Sequence, residues 1–396
     1  MENLRNKFLR LLGQVNFEYR RYLYNQVNWD DRLVIIKGQR GVGKTTLLLQ
    51  YIQNEIMDIT KTLYISLDDL YFSTNKLSDL VEQFTLNGGK NLFIDEVHRY
   101  PGWSIELKNI YDFYPELRVI ATGSSAIGIE KGKADLSRRA SVYHLHTLSF
   151  REYVEMYHNV KLDKLTLSEL VKEHEQKAIQ INKKIKPLEL FNQYLKFGSY
   201  PFADSTDPLF YEKLKAIVNL IIDNDIPSVE NISYETRIKI KKLLLLISAA
   251  VPFKPNIAEL SQKVGTSRDV LLKYLHLLSN AGIINLLSQE GSAGSILQKP
   301  EKIYLNNPTL MLALDEGANT GTLRETFFIN QISVDNKVTA PKAGDFFVQD
   351  LYTFEVGGKS KTQKQIAGIE KAYTVIADIE FGQGNRIPLW MFGLLY

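Results

Sequence analysis

The sequence predicts an α/β protein: a parallel sheet with a phosphate-binding loop, then a helical region, a winged helix-turn-helix outline and a small α/β unit. Three observations carry that reading. Leu33 to Leu47, LVIIKGQRGVGKTTL, reads as a buried strand, a Gly-rich loop and the first turn of a helix, and Gly38 to Thr45 fit G-x-x-x-x-G-K-[ST]. Strand and helix signals then alternate as far as His146, the pattern of a parallel sheet. After Ser149 the period turns helical, and strand signals return only beyond Ile283.

Taken in order, residues 1–30 read as helical, ending in Trp29-Asp30-Asp31. Strands are expected over Leu33 to Lys37, Thr62 to Leu67, Asn91 to Asp95, Arg118 to Thr122 and Ser141 to His146. The first and third are near-continuous apolar runs, as strands buried on both faces should be. From Ser149 to about Glu235 the pattern is helical, with a turn at Gly198-Ser199-Tyr200-Pro201 and a solvated face at Lys183 to Lys186. Helices Lys241 to Ala250, Asn256 to Val264 and Ser267 to Asn280 follow, the last capped by Ser267, and two strands around a Gly/Ser turn complete the winged outline. The last stretch reads as a helix, Leu323 to Ile332, strands Asp345 to Val348 and Tyr352 to Val356, a helix Thr362 to Ala372, and strands Tyr373 to Ala377 and Pro388 to Leu394.

The phosphate loop has a direct chemical rationale. Gly38, Gly41 and Gly43 let backbone N–H groups converge on one centre, and the helix N-terminus adds partial positive charge, so Gly38, Gln39, Arg40, Gly41, Val42, Gly43, Lys44, Thr45 and Thr46 form the expected cradle. Lys44 would reach β- and γ-phosphates and the Thr45 hydroxyl would ligate Mg²⁺. Asn91 to Glu96, NLFIDE, is an apolar strand ending in two carboxylates: Asp95 supplies the metal with an anionic partner and Glu96 a base or water-orienting group. Ala121 to Ser125, ATGSS, places small polar residues where a strand leaves the sheet, and Arg138-Arg139 follow in the next connection. His98, His144 and His146 form no recognisable metal set.

The segments GQRGVGKTT, NLFIDEVHRYPGW, RVIATGSSA and DLSRRASVYHLHTLSFREY together resemble the prokaryotic AAA+-type P-loop ATPases that carry a C-terminal nuclease-like domain. The resemblance implies an AAA+ core with Walker A at Gly38 to Thr45, Walker B at Asp95 and Glu96, a sensor-like Ser124 and an arginine finger or sensor at Arg139, acting in cis or in trans. It also implies ATP in place of other nucleotides.

In the winged-helix reading Ser267, Arg268 and Lys273 lie on the helix that would enter a major groove, with Gln289 and Lys299 in the wing, while Asp269 weakens the case for DNA or RNA. In the resembled PD-(D/E)XK nuclease fold a helix supplies a Glu, one strand an Asp, and the next a Glu with a Lys two residues on. Glu325, Asp345 and Glu355 occupy the carboxylate positions as a vestigial metal set. A hairpin centred on Asp350 sets Asp345 opposite Glu355, with Phe346, Val348, Tyr352 and Phe354 on the other face; like charges so placed repel unless a cation sits between them. Gly357 stands where the lysine belongs, with Lys359 and Lys364 the substitutes weighed, so the site reads as degenerate.

A chain of 396 residues is too long for one ordinary core. The expected division is 1–148, the P-loop core with its N-terminal helix; 149–235, a helical lid or linker; 236–318, the winged helix; and 319–396, the nuclease-like unit. With 44% hydrophobic and 23% charged residues the composition is that of a globular protein, and the net charge of +3 favours no class of partner. The absence of cysteine excludes a disulfide framework and thiolate metal sites. MENLRNKFLRLLGQ is amphipathic and not a signal peptide, and Leu243 to Val251 is too short to span a bilayer, so a cytoplasmic protein with no membrane anchor is expected. The functional expectation is a Mg²⁺-dependent ATPase whose ATP/ADP state controls the C-terminal modules, with nucleic acid, a protein partner or a homo-oligomer as partners. A slow nucleotide-controlled interaction switch and an ATP-gated nuclease stay open beside it.

Overall fold

The computed structural model describes residues 1–14, 18–126, 136–250, 254–291, 298–315 and 317–396. The chain packs as two units, one comprising Met1–His146 with Asp223–Ile232, the other Thr147–Ile222 with Ser233–Tyr396.

The first unit is a parallel sheet of β1 (Leu33–Gly38), β2 (Thr62–Ser66), β3 (Asn91–Asp95), β4 (Arg118–Ser124) and β5 (Ser141–Leu145), in the order β2-β3-β4-β1-β5. Alternate strand residues feed two cores, as the two-residue period requires. Leu33, Ile35, Leu63, Ile65, Leu92 and Ile94 face one side, where α3 (Leu77–Leu86) and α4 (Trp103–Phe113) cover them. Val34, Ile36, Tyr64, Phe93 and Ile120 face the other, against α2 (Lys44–Glu55). Helix α1 (Glu2–Leu12) contributes Leu4 to one core and Phe8 to the other. The helical expectation for residues 1–30 is met only in α1: Tyr22–Asn25 is a short 3₁₀ turn, and residues 15–17 lie outside the described residues. The order brings the carboxyl ends of β3, β4 and β1 side by side, which is where open α/β sheets bind ligands.

The second unit begins with α5 (Phe150–His158), α6 (Leu167–Asn182), α7 (Pro187–Phe197) and α8 (Phe210–Leu220). Ser149 with Glu152, and Thr166 with Glu169, close reciprocal capping boxes that start α5 and α6 where the sequence turns helical. A five-residue π-helical turn, Ile221–Asp225, continues from α8. Next come α9 (Tyr234–Ser248), α10 (Ile257–Val264) and α11 (Arg268–Asn280), then a hairpin of β6 (Ile284–Leu287) and β7 (Lys302–Leu305). Gly265, at φ +75°, ends α10 in the left-handed region, and Ser267 caps α11 as expected by accepting from Val270 N. The Gly/Ser turn at 292–297 and Pro252 lie outside the described residues.

Two further helices, α12 (Pro308–Leu314) and α13 (Thr320–Ile332), lead into a mixed sheet ordered β12-β11-β10-β9-β8: β8 (Val338–Thr339), β9 (Phe346–Val348), β10 (Tyr352–Gly357), β11 (Ala372–Ile376) and β12 (Arg386–Pro388). The hairpin register is the expected one, with Phe354 opposite Phe346 and Tyr352 opposite Val348. Two expectations fail here. Thr362 to Ala372 forms only a three-residue 3₁₀ turn at Lys364–Ile366, because Gly368 takes φ +81° and the segment leads into parallel strand β11. Pro388 to Leu394 is a strand only to Pro388; Leu389–Leu394 is a 3₁₀ segment buried throughout, so its apolar run reflects full enclosure and not sheet alternation. A Cβ on Gly393 would meet Phe150 Cβ at 2.3 Å and Phe327 Cζ at 3.2 Å. Gly393→Ala is therefore expected to destabilise this unit by about 1–3 kcal/mol through overpacking, read as a lower thermal midpoint.

Candidate functional site

The site forms where β1 runs into α2. Gly41 and Gly43 adopt φ 84° and 95°, and a Cβ on Gly38 would stand 2.5 Å from Leu145 O on the neighbouring strand. The Arg21 guanidinium, itself buried, donates to Val42 O within the loop and to His146 O at 2.7 Å, bracing the loop against the end of β5. Helix α2 makes its first backbone bond from Leu47 N to Gly43 O, so the N–H groups of Lys44, Thr45 and Thr46 lie in an unbonded first turn at the loop. Lys44 Nζ donates to Gly38 O and Gln39 O at 3.0 Å each, leaving one of its three donors for a phosphate oxygen.

Asp95 is buried at the end of β3 and is the hub of the site. Its carboxylate accepts from Thr45 Oγ1 at 2.6 Å, from Tyr64 OH at 2.7 Å, from Thr122 Oγ1, and from Glu96 N at 3.1 Å. Burial and the adjacent Asp95 charge push the Tyr64 phenol far above its ordinary range, so it stays a donor. The hydroxyl of Thr45 beside a carboxylate is a hard-oxygen pair of the type Mg²⁺ takes, and with the loop N–H groups and Lys44 these residues fit a Mg²⁺-bound nucleoside triphosphate. Ser124 pairs in register with Gly38, at the level where the loop begins.

Glu96 sits in the left-handed region, φ 52°. Its Oε2 lies 3.3 Å from His98 Nε2, which in turn lies 3.7 Å from Asp225 Oδ1. Arg99 donates to Asp225 at 3.1 Å and Arg40 at 3.3 Å. Thus Arg40, expected in the phosphate cradle, is held by a carboxylate far along the chain. Burial pushes Asp225 up, but His98, Arg40 and Arg99 outweigh it and hold the carboxyl below the ordinary range. Burial, then the charges of His146, Lys37 and Lys44, holds His144 well below the ordinary histidine value, and its ring stands 4.1 Å from that of His146.

Arg139 is elsewhere. It precedes β5, whose Leu145 pairs with Gly38, so it lies roughly 15–20 Å from the loop by strand rise. It is engaged in a two-point pair with Asp112, 2.7 Å and 3.0 Å, at the amino-terminal edge of the sheet. An arginine-finger role within its own chain does not fit this placement, because the strand separates the two ends.

In the second unit Glu325, Asp345 and Glu355 do come together, and so do cations that sequence reasoning missed. Lys302 Nζ, from β7, lies 3.3 Å from Asp345 Oδ1 and 3.7 Å from Glu325 Oε2, and Lys361 pairs with the fully buried Glu355. Tyr304 OH donates to Glu325 Oε2 at 2.7 Å. The cation that opposed Asp345 and Glu355 demand is therefore ammonium, and neither Lys359 nor Lys364 supplies it. The lysines thus meet the charge of these carboxylates from within the protein. Burial raises both Glu325 and Glu355 above the ordinary carboxylate range, Asp345 adding to each. The native protein thus keeps protons that the unfolded chain has lost, and stability falls as pH rises from about 4.3 through the raised native values. Glu325→Gln is expected to flatten that part of a plot of thermal midpoint against pH.

Fold and site together define a parallel α/β core with a phosphate-binding loop at the carboxyl ends of its strands. Residues 30–154 match the family model described as AAA domain, and residues 188–321 match a domain of unknown function, DUF8612. The chain is 28% identical over 315 residues to uncharacterized protein MJ1637 of Methanocaldococcus jannaschii, covering 74% of this chain and 66%, just under two thirds, of that protein. Among solved structures it is similar to the Orc1 protein of Aeropyrum pernix in complex with DNA, at 10% identity, 79% and 92% coverage of this chain and that one, and TM-score 0.32. It is also similar to AMPPCP-bound DnaA from Aquifex aeolicus, at 13% identity, 70% and 88% coverage, and TM-score 0.26. No helix among the described residues is long and apolar enough to cross a membrane.

Proposed function

We propose that this chain is a Mg²⁺-dependent ATPase, converting ATP and water to ADP and phosphate, whose nucleotide state acts on the second unit. The observation that carries the reading is the 2.6 Å pairing of the loop hydroxyl Thr45 with the Asp95 carboxylate, beside Lys44 and directly before Glu96. Mg²⁺ held by Thr45 and Asp95 would neutralise charge on the phosphate oxygens. The first-turn N–H groups and Lys44 bind and orient the phosphates, Ser124, level with the start of the loop, serves as the γ-phosphate sensor, and Glu96 accepts the proton of the attacking water. Adenine is favoured by the AAA domain match. Arg139 is assigned to a neighbouring copy, as a finger in a homo-oligomer.

The hairpin, helix-turn-helix and mixed sheet of the second unit serve as the responding module, a winged helix followed by a non-cleaving PD-(D/E)XK-like sheet. Lys302 and Lys361 on the three carboxylates support that reading over a nuclease, since they neutralise the charge that cleavage would require for metal. Ser267, Arg268 and Lys273 are exposed on α11, where nucleic acid would meet the module, but Asp269 is exposed among them, so a protein partner fits this surface better. The test is Mg²⁺-dependent phosphate release by the full chain and its dependence on Lys44 and Glu96.

A further inference from the structure

The proposed chemistry uses Glu96 but leaves the groups behind it without a role. His98 is fully buried, and its Nδ1 accepts from Ser124 N at 3.2 Å, which places the ring proton on Nε2. That buried N–H faces Glu96 Oε2 at 3.3 Å and Asp225 Oδ1 at 3.7 Å, yet makes a well-aligned hydrogen bond to neither. A donor shared between two carboxylates has two discrete partners, and leaving it unsatisfied in a buried site is costly. Asp225, only 2% exposed, is the fixed end of this relay because Arg40 and Arg99 both hold it. Glu96 is the end with no arginine on it, and its left-handed backbone, φ 52°, is one that few non-glycine residues adopt.

The carrier of Asp225 is unusual as well. Asp225 ends the π-helical turn Ile221–Asp225, and such turns, mostly local insertions in helices, are frequent at functional sites. The segment Asp223–Ile232 packs with the nucleotide-binding unit, whereas the chain on both sides of it belongs to the second unit. A single buried carboxylate on this segment therefore pairs with a phosphate-loop residue, Arg40, and faces the ring N–H of the histidine behind Glu96.

We propose that Asp225 is a positioning residue for hydrolysis: through His98 it orients Glu96, so that displacement of the segment 223–232 changes turnover while nucleotide affinity stays nearly constant. This makes the segment the physical link by which the state of the second unit sets the ATPase rate. The inference rests on the ATPase reading above.

The test is steady-state ATP turnover and equilibrium nucleotide affinity of the full chain carrying Asp225→Asn, His98→Leu, His98→Gln and the double variant His98→Leu/Asp225→Asn. Asp225→Asn and His98→Leu are each expected to lower kcat about 10-fold or more, with Kd for ATP within about 3-fold, because a misplaced base costs rate and not binding. His98→Gln, whose amide can present a donor where Nε2 stands, is expected to keep kcat within about 3-fold, a rescue that simple loss of packing would not show. The double variant is expected to be no slower than the slower single variant, since both act on one relay. Multiplying losses in the double variant, equal losses in His98→Gln and His98→Leu, or a parallel fall in affinity would each overturn the proposal. If Asp225→Asn does not fold, the two histidine variants decide it. Wild-type turnover with unaffected variants overturns this inference alone, whereas no wild-type turnover overturns the ATPase reading and this one with it.

Discussion

Lys44→Ala is expected to abolish tight ATP binding and, with it, turnover. Lys44 is buried at the loop with two donors on Gly38 O and Gln39 O, so its ammonium is already positioned over the loop when a phosphate oxygen takes the third. A charge-assisted hydrogen bond of this kind contributes about 1.5–3 kcal/mol, and losing it weakens binding roughly 10- to 100-fold before any effect on the chemical step. The methyl group of alanine also leaves two loop carbonyls without that donor, which loosens the cradle. Calorimetric titration with ATP and Mg²⁺, together with phosphate release, measures both. Unchanged affinity and turnover would remove the loop from the function assigned to it.

Glu96→Gln should separate binding from hydrolysis. The amide keeps the shape of the carboxylate and presents an oxygen where Glu96 Oε2 stands, 3.3 Å from His98 Nε2, so the local structure and the Asp95–Thr45 pair are expected to be preserved. It cannot take a proton from water, and loss of a positioned base lowers turnover by roughly 10²- to 10⁴-fold. Affinity for ATP is expected to stay within a few-fold of wild type, giving a variant that holds ATP without consuming it. Full turnover in Glu96→Gln would exclude Glu96 as the base. The contrast with Asp225→Asn is informative, since both spare affinity but the first removes the carboxylate that takes the proton and the second only displaces it.

The nucleotide site was legible in the sequence because its parts are local or sit at the ends of recognisable strands. Gly38 to Thr45 lie in one loop, and the five strand positions follow from apolar runs and their alternation with helices. Register then does the rest: in a parallel sheet with β1 between β4 and β5, and β3 beside β4, Ser124 and Asp95 fall beside the loop without further instruction. The hairpin register of β9 and β10 follows from a turn centred on Asp350, and the two-residue side-chain period then buries Phe346, Val348 and Phe354 together.

The partners of these residues were not legible. Asp225 reaches Arg40 across 185 positions and Arg99 across 126, and nothing in a single carboxylate between helices marks it as a ligand for either. Lys302 and Lys361 sit outside the spacing that a nuclease lysine obeys, and nothing in the sequence distinguishes Lys361 from its neighbours Lys359 and Lys364. Arg139 shows the converse: its motif stands close to the others along the chain, whereas β5 carries it to the amino-terminal end of the sheet, beside Asp112.

By itself, then, the sequence determined the parallel core, the Gly-rich loop between β1 and α2 and the carboxylates at the strand ends, because backbone conformation and burial are read from local residue types and their period. Only the tertiary structure decided which charges neutralise one another, binding Arg40 to Asp225 and setting Lys302 and Lys361 on the second cluster. Charge pairing depends on distance in space and on burial, and a chain that folds back on itself over a hundred or more residues leaves no periodic trace of either.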